Sequence, residues 1–254
     1  LSANLVNATE LRVLAMRRSG HHAVIHWLLR QLRGPGLFLN DCKLDDGGEG
    51  ERGAALLGNR FSRYVNLSEE DAGRDRAGDL VPKELLVFNF EDLSVGEFAA
   101  CLARVGGRGA SGRVRHLIVV RDPFNWVASR LQTLPTPALA RSALLETWKG
   151  HVRECLRRTE VLPDLVPVDF RRWVGEAGYR RKLARELGLP FDDTGFREVV
   201  LPGLSSFDSE GVAADNTVVL DRWRECAGDP GYRAVFDPEV IELAEAFFGF
   251  NPLA

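Results

Sequence analysis

Six consecutive residues, Arg17-Arg18-Ser19-Gly20-His21-His22, bring guanidinium, hydroxyl and imidazole groups together around one glycine, a mixture suited to holding an anion. The apolar run Leu11 to Met16 ahead of them reads as a buried strand, and Val24, Trp27 and Leu28 behind them follow the i, i+3, i+4 spacing of a helix face. A turn this short between strand and helix leaves the first helical N–H groups, those of His21, His22 and Ala23, without partners inside the helix. An anion placed there gains hydrogen bonds and dipole attraction together. Gly20 admits a close backbone approach, Arg18 supplies a full charge with Arg17 beside it, and Ser19 supplies a hydroxyl donor. An ordinary strand-to-helix turn with solvated arginines fits the same residues, so the rest of the chain decides.

A second polar site has the same construction. His116 to Val120 is a continuous apolar run of the kind buried on both faces of a parallel sheet. It ends at Arg121-Asp122-Pro123, where Asp122 suits an N-cap and Pro123 the first helical position, which predicts a helix over Phe124 to Leu131. Arg121 at the strand end and Ser129 two turns along the helix are placed to meet one phosphate. Further strands are expected at Leu37 to Leu39, Leu85 to Phe90 and Leu165 to Phe170, the last at an edge because of Pro167. Helices are expected over Val95 to Val105, Ala138 to about Val161, Tyr179 to Leu187 with Gly188 as C-cap, Val218 to Cys226 and Pro238 to Phe248, with Gly106 to Gly112 a flexible connection. Strands alternating with helices predict an α/β fold, one domain over residues 1–254 with a mainly parallel sheet flanked by helices. Ligands then bind outside the carboxyl ends of the strands, where both polar sites fall. Residues 43–82, rich in Gly, Asp, Glu and Arg with only Phe61 to Leu67 patterned, read as an insert: a lid, an acceptor-binding segment or a plain flexible connection.

The 254 residues carry 33 basic and 36 acidic side chains, a net charge of −3, which argues against a nucleic-acid partner and makes any anion site local. Four cysteines without a C-x-x-C pair are expected as reduced thiols of a cytoplasmic protein. No apolar run is long enough for a transmembrane segment, and no signal peptide is seen ahead of the first strand.

The loop at Arg17 to His22 together with Arg121 and Ser129 resembles the bacterial sulfotransferases that use 3′-phosphoadenosine 5′-phosphosulfate (PAPS) and share a P-loop nucleotide-binding fold. The resemblance implies that Arg18 stands where the family's lysine touches the 5′-phosphosulfate, and that Ser19, Gly20, His21 and His22 complete that loop. It also implies that Arg121 and Ser129 hold the 3′-phosphate and that Phe170 packs against adenine. Ser205-Ser206-Phe207 and Leu220-Asp221-Arg222-Trp223 resemble late elements that close over the nucleotide, so Ser206 and Phe207 are expected to contact it. The reaction implied is in-line transfer of a sulfuryl group to a hydroxyl or amine on an unidentified glycan, lipid or small metabolite. It requires no metal and releases 3′-phosphoadenosine 5′-phosphate (PAP).

Two departures change the chemistry. Arginine in place of lysine keeps the charge but not the option of losing a proton, so Arg18 is expected to stabilise charge. Two histidines replace two threonines. The acceptor's proton needs a base, and the resemblance places it at Glu91, with His22, His21 and Asp41 as further candidates; Glu91 also fits a helix cap. His22 and His26 lie four apart on one helix face, yet no third ligand is evident and no metal is expected. The pattern G-x-x-x-x-G-K-[ST] is absent. Two alternative functions remain: a P-loop kinase with an atypical phosphate loop and a non-catalytic nucleotide-binding module.

Overall fold

A computed structural model describes residues 5–44, 56–57, 62–103, 108–133, 138–194, 196 and 220–254. In chain order the elements are β1 (Leu5–Ala15), α1 (His21–Arg30), β2 (Gly36–Leu39), β3 (Lys43–Leu44), β4 (Leu56–Leu57), β5 (Arg63–Val65), α2 (Glu69–Arg76), β6 (Lys83–Glu91), α3 (Val95–Leu102), β7 (Ala110–Val120), α4 (Pro123–Thr133) and α5 (Ala138–Cys155). They continue with β8 (Leu165–Asp169), α6 (Phe170–Gly175), α7 (Ala177–Leu187), α8 (Trp223–Cys226), α9 (Pro230–Arg233) and α10 (Pro238–Phe248). Six strands form one sheet in the order β5-β2-β6-β1-β7-β8, parallel except for β5, which runs antiparallel to β2.

The apolar runs explain the layering. Successive strand residues point to opposite faces, so Leu11, Val13 and Ala15 of β1 pack with Val24, Trp27 and Leu28 of α1 and with Trp173 and Leu183 of α6 and α7. On the other face, Leu14 joins Phe88 and Phe90 of β6, Phe98 of α3, Phe124 of α4, Trp148 of α5 and Leu243 of α10. A central strand with both faces covered is largely apolar, as β1, β6 and β7 are towards their ends. Register then fixes the site. Ala15 pairs with Glu91 on one side and Val119 on the other, so the loops leaving β1, β6 and β7 start at one level.

Several boundaries differ from the sequence expectation. β7 begins at Ala110, so Ala110 to Gly112 belong to a strand. α5 stops at Cys155, short of Val161, because Arg157 takes a left-handed conformation (φ 58°) and the Glu154 carboxylate accepts from Val161 N (3.0 Å) and Leu162 N (2.7 Å) beyond the helix. Phe170 opens α6 instead of ending β8, because Asp169 Oδ1 accepts from Arg172 N at 3.1 Å and caps a new helix. α3 ends at Leu102, and the described helix in the Val218 to Cys226 stretch starts at Trp223. Within the expected insert, β5 extends the sheet and Ser68 caps α2. Buried Asp75 of α2 holds Lys83 of β6 and accepts from Tyr64 Oη at 2.8 Å, which ties this segment to the sheet. The expectations at Pro167, Gly188 and Pro238 agree with the structure: β8 is an edge strand, Gly188 ends α7 at φ 72°, and α10 spans Pro238–Phe248.

Candidate active site

The loop between β1 and α1 is held from below and from both sides. Gly20, at φ 85°, is the N-cap of α1 and supplies no side-chain cap, so the helix N-terminus stays open. Its conformation favours glycine, and a Cβ there would lie 2.2 Å from the Phe170 ring. Phe170 is therefore the floor of the loop, 4 % exposed and stacked on Trp173. Arg18 also adopts a left-handed φ of 71°, and Arg121 Nη1 donates to its carbonyl at 3.1 Å. Trp126 Nε1 donates to Arg17 O at 2.9 Å, and Trp148 Nε1 donates to Arg121 O at 3.0 Å, so α4 and α5 grip both polar turns. Positive φ values recur at Asp41 and Asp92, close beyond the ends of β2 and β6. Such backbone strain concentrates at functional sites.

On the β7 side three guanidinium groups converge. Burial first, then the charges of Arg222 and Arg130, lowers the pKa of Arg18, whose buried Nε and Nη2 have no hydrogen-bond partner among the described residues. Burial brings Arg121 down to about 10; Asp122 opposes this, while Arg222 and Arg18 reinforce it. Arg222 Nη1 donates to Ser129 Oγ at 3.3 Å, so Ser129 lies under Arg222, and both are buried. Asn125 fastens the segment carrying Arg222, donating to Leu220 O at 2.8 Å and accepting from Trp223 N at 3.2 Å. Asp122 caps α4 as expected, accepting from Asn125 N at 2.9 Å. Cations brought this close repel one another, and a bound polyanion relieves that repulsion.

On the β6 side the chemistry is inverted. Arg17 Nε donates to Glu91 Oε2 at 2.8 Å, Arg17 Nη2 to Asp41 Oδ2 at 3.1 Å, and Arg17 N to Asp92 Oδ1 at 2.9 Å. Burial alone would lower the Arg17 pKa, but Glu91, Asp41 and Asp92 raise it overall. His21 Nε2 lies 3.0 Å from Glu91 Oε1, and its Nδ1 lies 3.2 Å from Ser19 Oγ, which makes a chain from hydroxyl through imidazole to carboxylate. His22 Nε2 is 2.8 Å from Asn40 Oδ1 and 3.4 Å from Glu91 Oε1. Burial would raise Glu91, yet the hydrogen bond and charge of His21, with His22 and Arg17, bring it down to about 2. Burial, reinforced by His21, brings His22 down to about 4, so it is neutral at pH 7. His26 is a packed side chain bonded to Arg63.

The structure thus brings Arg18, Ser19, Gly20, His21, His22, Ala23, Arg121 and Ser129 to one strand edge, with Glu91 across the loop. Arg17, expected among the nucleotide contacts, turns to the carboxylates instead. Ser206 and Phe207 lie outside the described residues. Arg222, quoted in sequence only as part of a closing segment, joins the arginine group, and Asn40 and Asn89 join the imidazoles. Nothing in the sequence spacing connects those residues to the loop.

No protein-family profile and no curated protein sequence matches the chain. Among solved structures, the sulfotransferase domain of the Synechococcus PCC 7002 olefin synthase matches with a TM-score of 0.55 at 15% identity, covering 98% of this chain and 97% of that one. The sulfotransferase domain of the curacin biosynthetic pathway gives 0.47 at 13% identity, covering 95% and 97% of the two chains. Mouse sulfotransferase SULT7A1 complexed with PAP gives 0.45 at 11% identity, covering 97% and 87%. The first of these likenesses runs nearly end to end over an α/β sheet of the architecture described above: the fold is that of a sulfotransferase domain, of the P-loop type.

Proposed function

We propose that the chain is a sulfotransferase that moves a sulfuryl group from PAPS to a hydroxyl or amine acceptor. One observation carries the reading: Arg18, Arg121 and Arg222 gather with Ser129 in front of the open N-terminus of α1. Two phosphates on one nucleotide meet this arrangement, the 5′-phosphosulfate at Arg18, Ser19 and the amides of His21, His22 and Ala23, the 3′-phosphate at Arg121, Ser129 and Arg222. The buried Phe170 ring supports the loop from beneath.

In the reaction the acceptor atom attacks sulfur in line, the bond between sulfur and the bridging phosphate oxygen breaks, and the 5′-phosphate leaves with an added negative charge. Arg18 and the loop donors stabilise that charge. The acceptor's proton leaves towards Glu91 and His22, the groups on the opposite side of the loop. No step is assigned to a metal. The four cysteines are free thiols, which supports the cytoplasmic setting proposed, and no helix among the described residues is long and apolar enough to cross a membrane.

Titration calorimetry with PAP, AMP and ATP tests the reading. Preferential binding of PAP that Arg121→Ala abolishes is expected. Equal affinity for the three nucleotides, unchanged by Arg121→Ala, overturns it.

A further inference from the structure

His21, His22 and Glu91 offer one ligand atom each, all within 4.8 Å of one another. Two of the separations are short: His21 Nε2 to Glu91 Oε1 is 3.0 Å, and His22 Nε2 to Glu91 Oε1 is 3.4 Å. Ligand atoms bound to zinc at about 2.0–2.1 Å in tetrahedral or facial geometry stand about 2.9–3.4 Å apart. A fourth ligand atom, an oxygen, is at hand, because Asn40 Oδ1 lies 2.8 Å from His22 Nε2. We propose that His21, His22 and Glu91, with Asn40 Oδ1, form a binding site for a zinc-class divalent ion.

The surroundings orient these atoms as outer-shell partners orient metal ligands. Asn89 Nδ2 donates to both candidate oxygens, Asn40 Oδ1 at 2.9 Å and Glu91 Oε1 at 3.2 Å, and so fixes them side by side. Arg17 Nε holds the other carboxylate oxygen of Glu91 at 2.8 Å and leaves Oε1 for the ion. Ser19 Oγ lies 3.2 Å from His21 Nδ1, where it accepts a hydrogen bond from the N–H that His21 carries on that nitrogen once Nε2 is coordinated. Three carboxylates, Asp41, Glu91 and Asp92, and the guanidinium groups of Arg17 and Arg130 surround the cluster and hold one another in place. Side chains of His21 and Glu91 are 3% and 7% exposed and that of His22 is 21% exposed, so the cluster is walled in and opens on the His22 side. Two imidazoles favour zinc and its transition-metal neighbours over magnesium or calcium.

This site stands on its own geometry. Its consequence rests on the sulfotransferase reading: a bound ion occupies the lone pairs on the acceptor side, so the ion-loaded chain keeps its nucleotide affinity and the ion acts as an inhibitor.

The experiment uses the untagged chain dialysed against chelator, titrated with zinc by calorimetry and with Co(II) by visible absorption. One zinc per chain and the intense ligand-field bands of four- or five-coordinate Co(II) are expected. His22→Gln and Glu91→Gln are expected to weaken zinc by more than the roughly 10–100-fold that losing an outer-shell partner costs, and Arg121→Ala to leave zinc affinity unchanged. Circular dichroism and thermal melts of both ligand variants identify the one that keeps the fold, and that variant decides. No stoichiometric binding, or zinc affinity unaltered in the folded ligand variant, overturns the proposal. PAP titrations of the same proteins keep the two readings separate: loss of PAP preference with intact zinc binding overturns the function and leaves the metal site standing.

Discussion

The two sides of the loop after β1 are opposites made from neighbouring residues. Arg17 turns to β6, where Glu91, Asp41 and Asp92 neutralise it and its pKa rises; Arg18 turns to β7, where burial and other arginines lower it. One side is internally balanced and carries imidazoles able to move protons. The other is an unbalanced concentration of positive charge that calls for a polyanion. Arg18 leaves the turn in a left-handed conformation (φ 71°) and points away from Arg17, and the strand order β6-β1-β7 puts different chemistry on each side. On the proposed reading, charge excess marks where the nucleotide's phosphates go, and charge balance marks where the protein keeps its own groups in place.

The comparison is broken most severely by removing the hinge between the two sides. Gly20→Ala forces a Cβ into the Phe170 ring at a left-handed φ. It is expected to cost about 2 kcal/mol or more of stability and to abolish PAP binding, as read by urea denaturation and calorimetry. Next in size, Arg121→Ala removes a charge-assisted phosphate contact of about 1.5–3 kcal/mol. PAP affinity should fall roughly 10–100-fold while AMP affinity changes little, because AMP lacks the 3′-phosphate.

A pH effect of similar scale distinguishes β8 from the site. Burial, helped by the charge of Asp122 and opposed by the backbone N–H groups of Arg172 and Arg171, raises Asp169 to about 6. The folded state therefore holds a proton that the unfolded chain releases near its ordinary value of 3.8. Stability from this group is present at low pH and falls as pH rises from about 4 to about 6, by on the order of 3 kcal/mol. Asp169→Asn, which keeps a cap oxygen, should flatten that fall in urea titrations across pH 4 to 7. A smaller loss is expected for Ser129→Ala, about 1 kcal/mol of PAP affinity, since the neutral hydroxyl adds one hydrogen bond beside two guanidinium groups.

The central strands, the order of elements and the turn between β1 and α1 were legible because local rules govern them: apolar runs, a glycine at a turn, Asp-Pro at a helix start. Arg121 and Ser129 were legible because their spacing along one turn and helix already implies proximity. Arg222 was not, since it reaches the site only through Asn125 holding a distant segment against α4. Asn40 and Asn89 were hidden for a similar reason, because Asn40 meets His22, and Asn89 meets Asn40, across parallel strands whose order no local pattern encodes. The direction of Arg17 was likewise invisible, for two adjacent arginines look equivalent until the sheet divides them. Residues 43–82 read as an insert from their composition; the described stretch 62–82 is tied to the sheet by the buried pairing of Asp75 with Lys83, which no local pattern announces.

That division of neighbours gives the most direct measurement: PAP affinity of Arg17→Ala against Arg18→Ala, by calorimetry at one pH and salt concentration. The account predicts that Arg18→Ala loses roughly 10–100-fold and that Arg17→Ala stays within about twofold of the parent, 0.4 kcal/mol or so. Equal losses in the two variants, or a larger loss for Arg17→Ala, would contradict it.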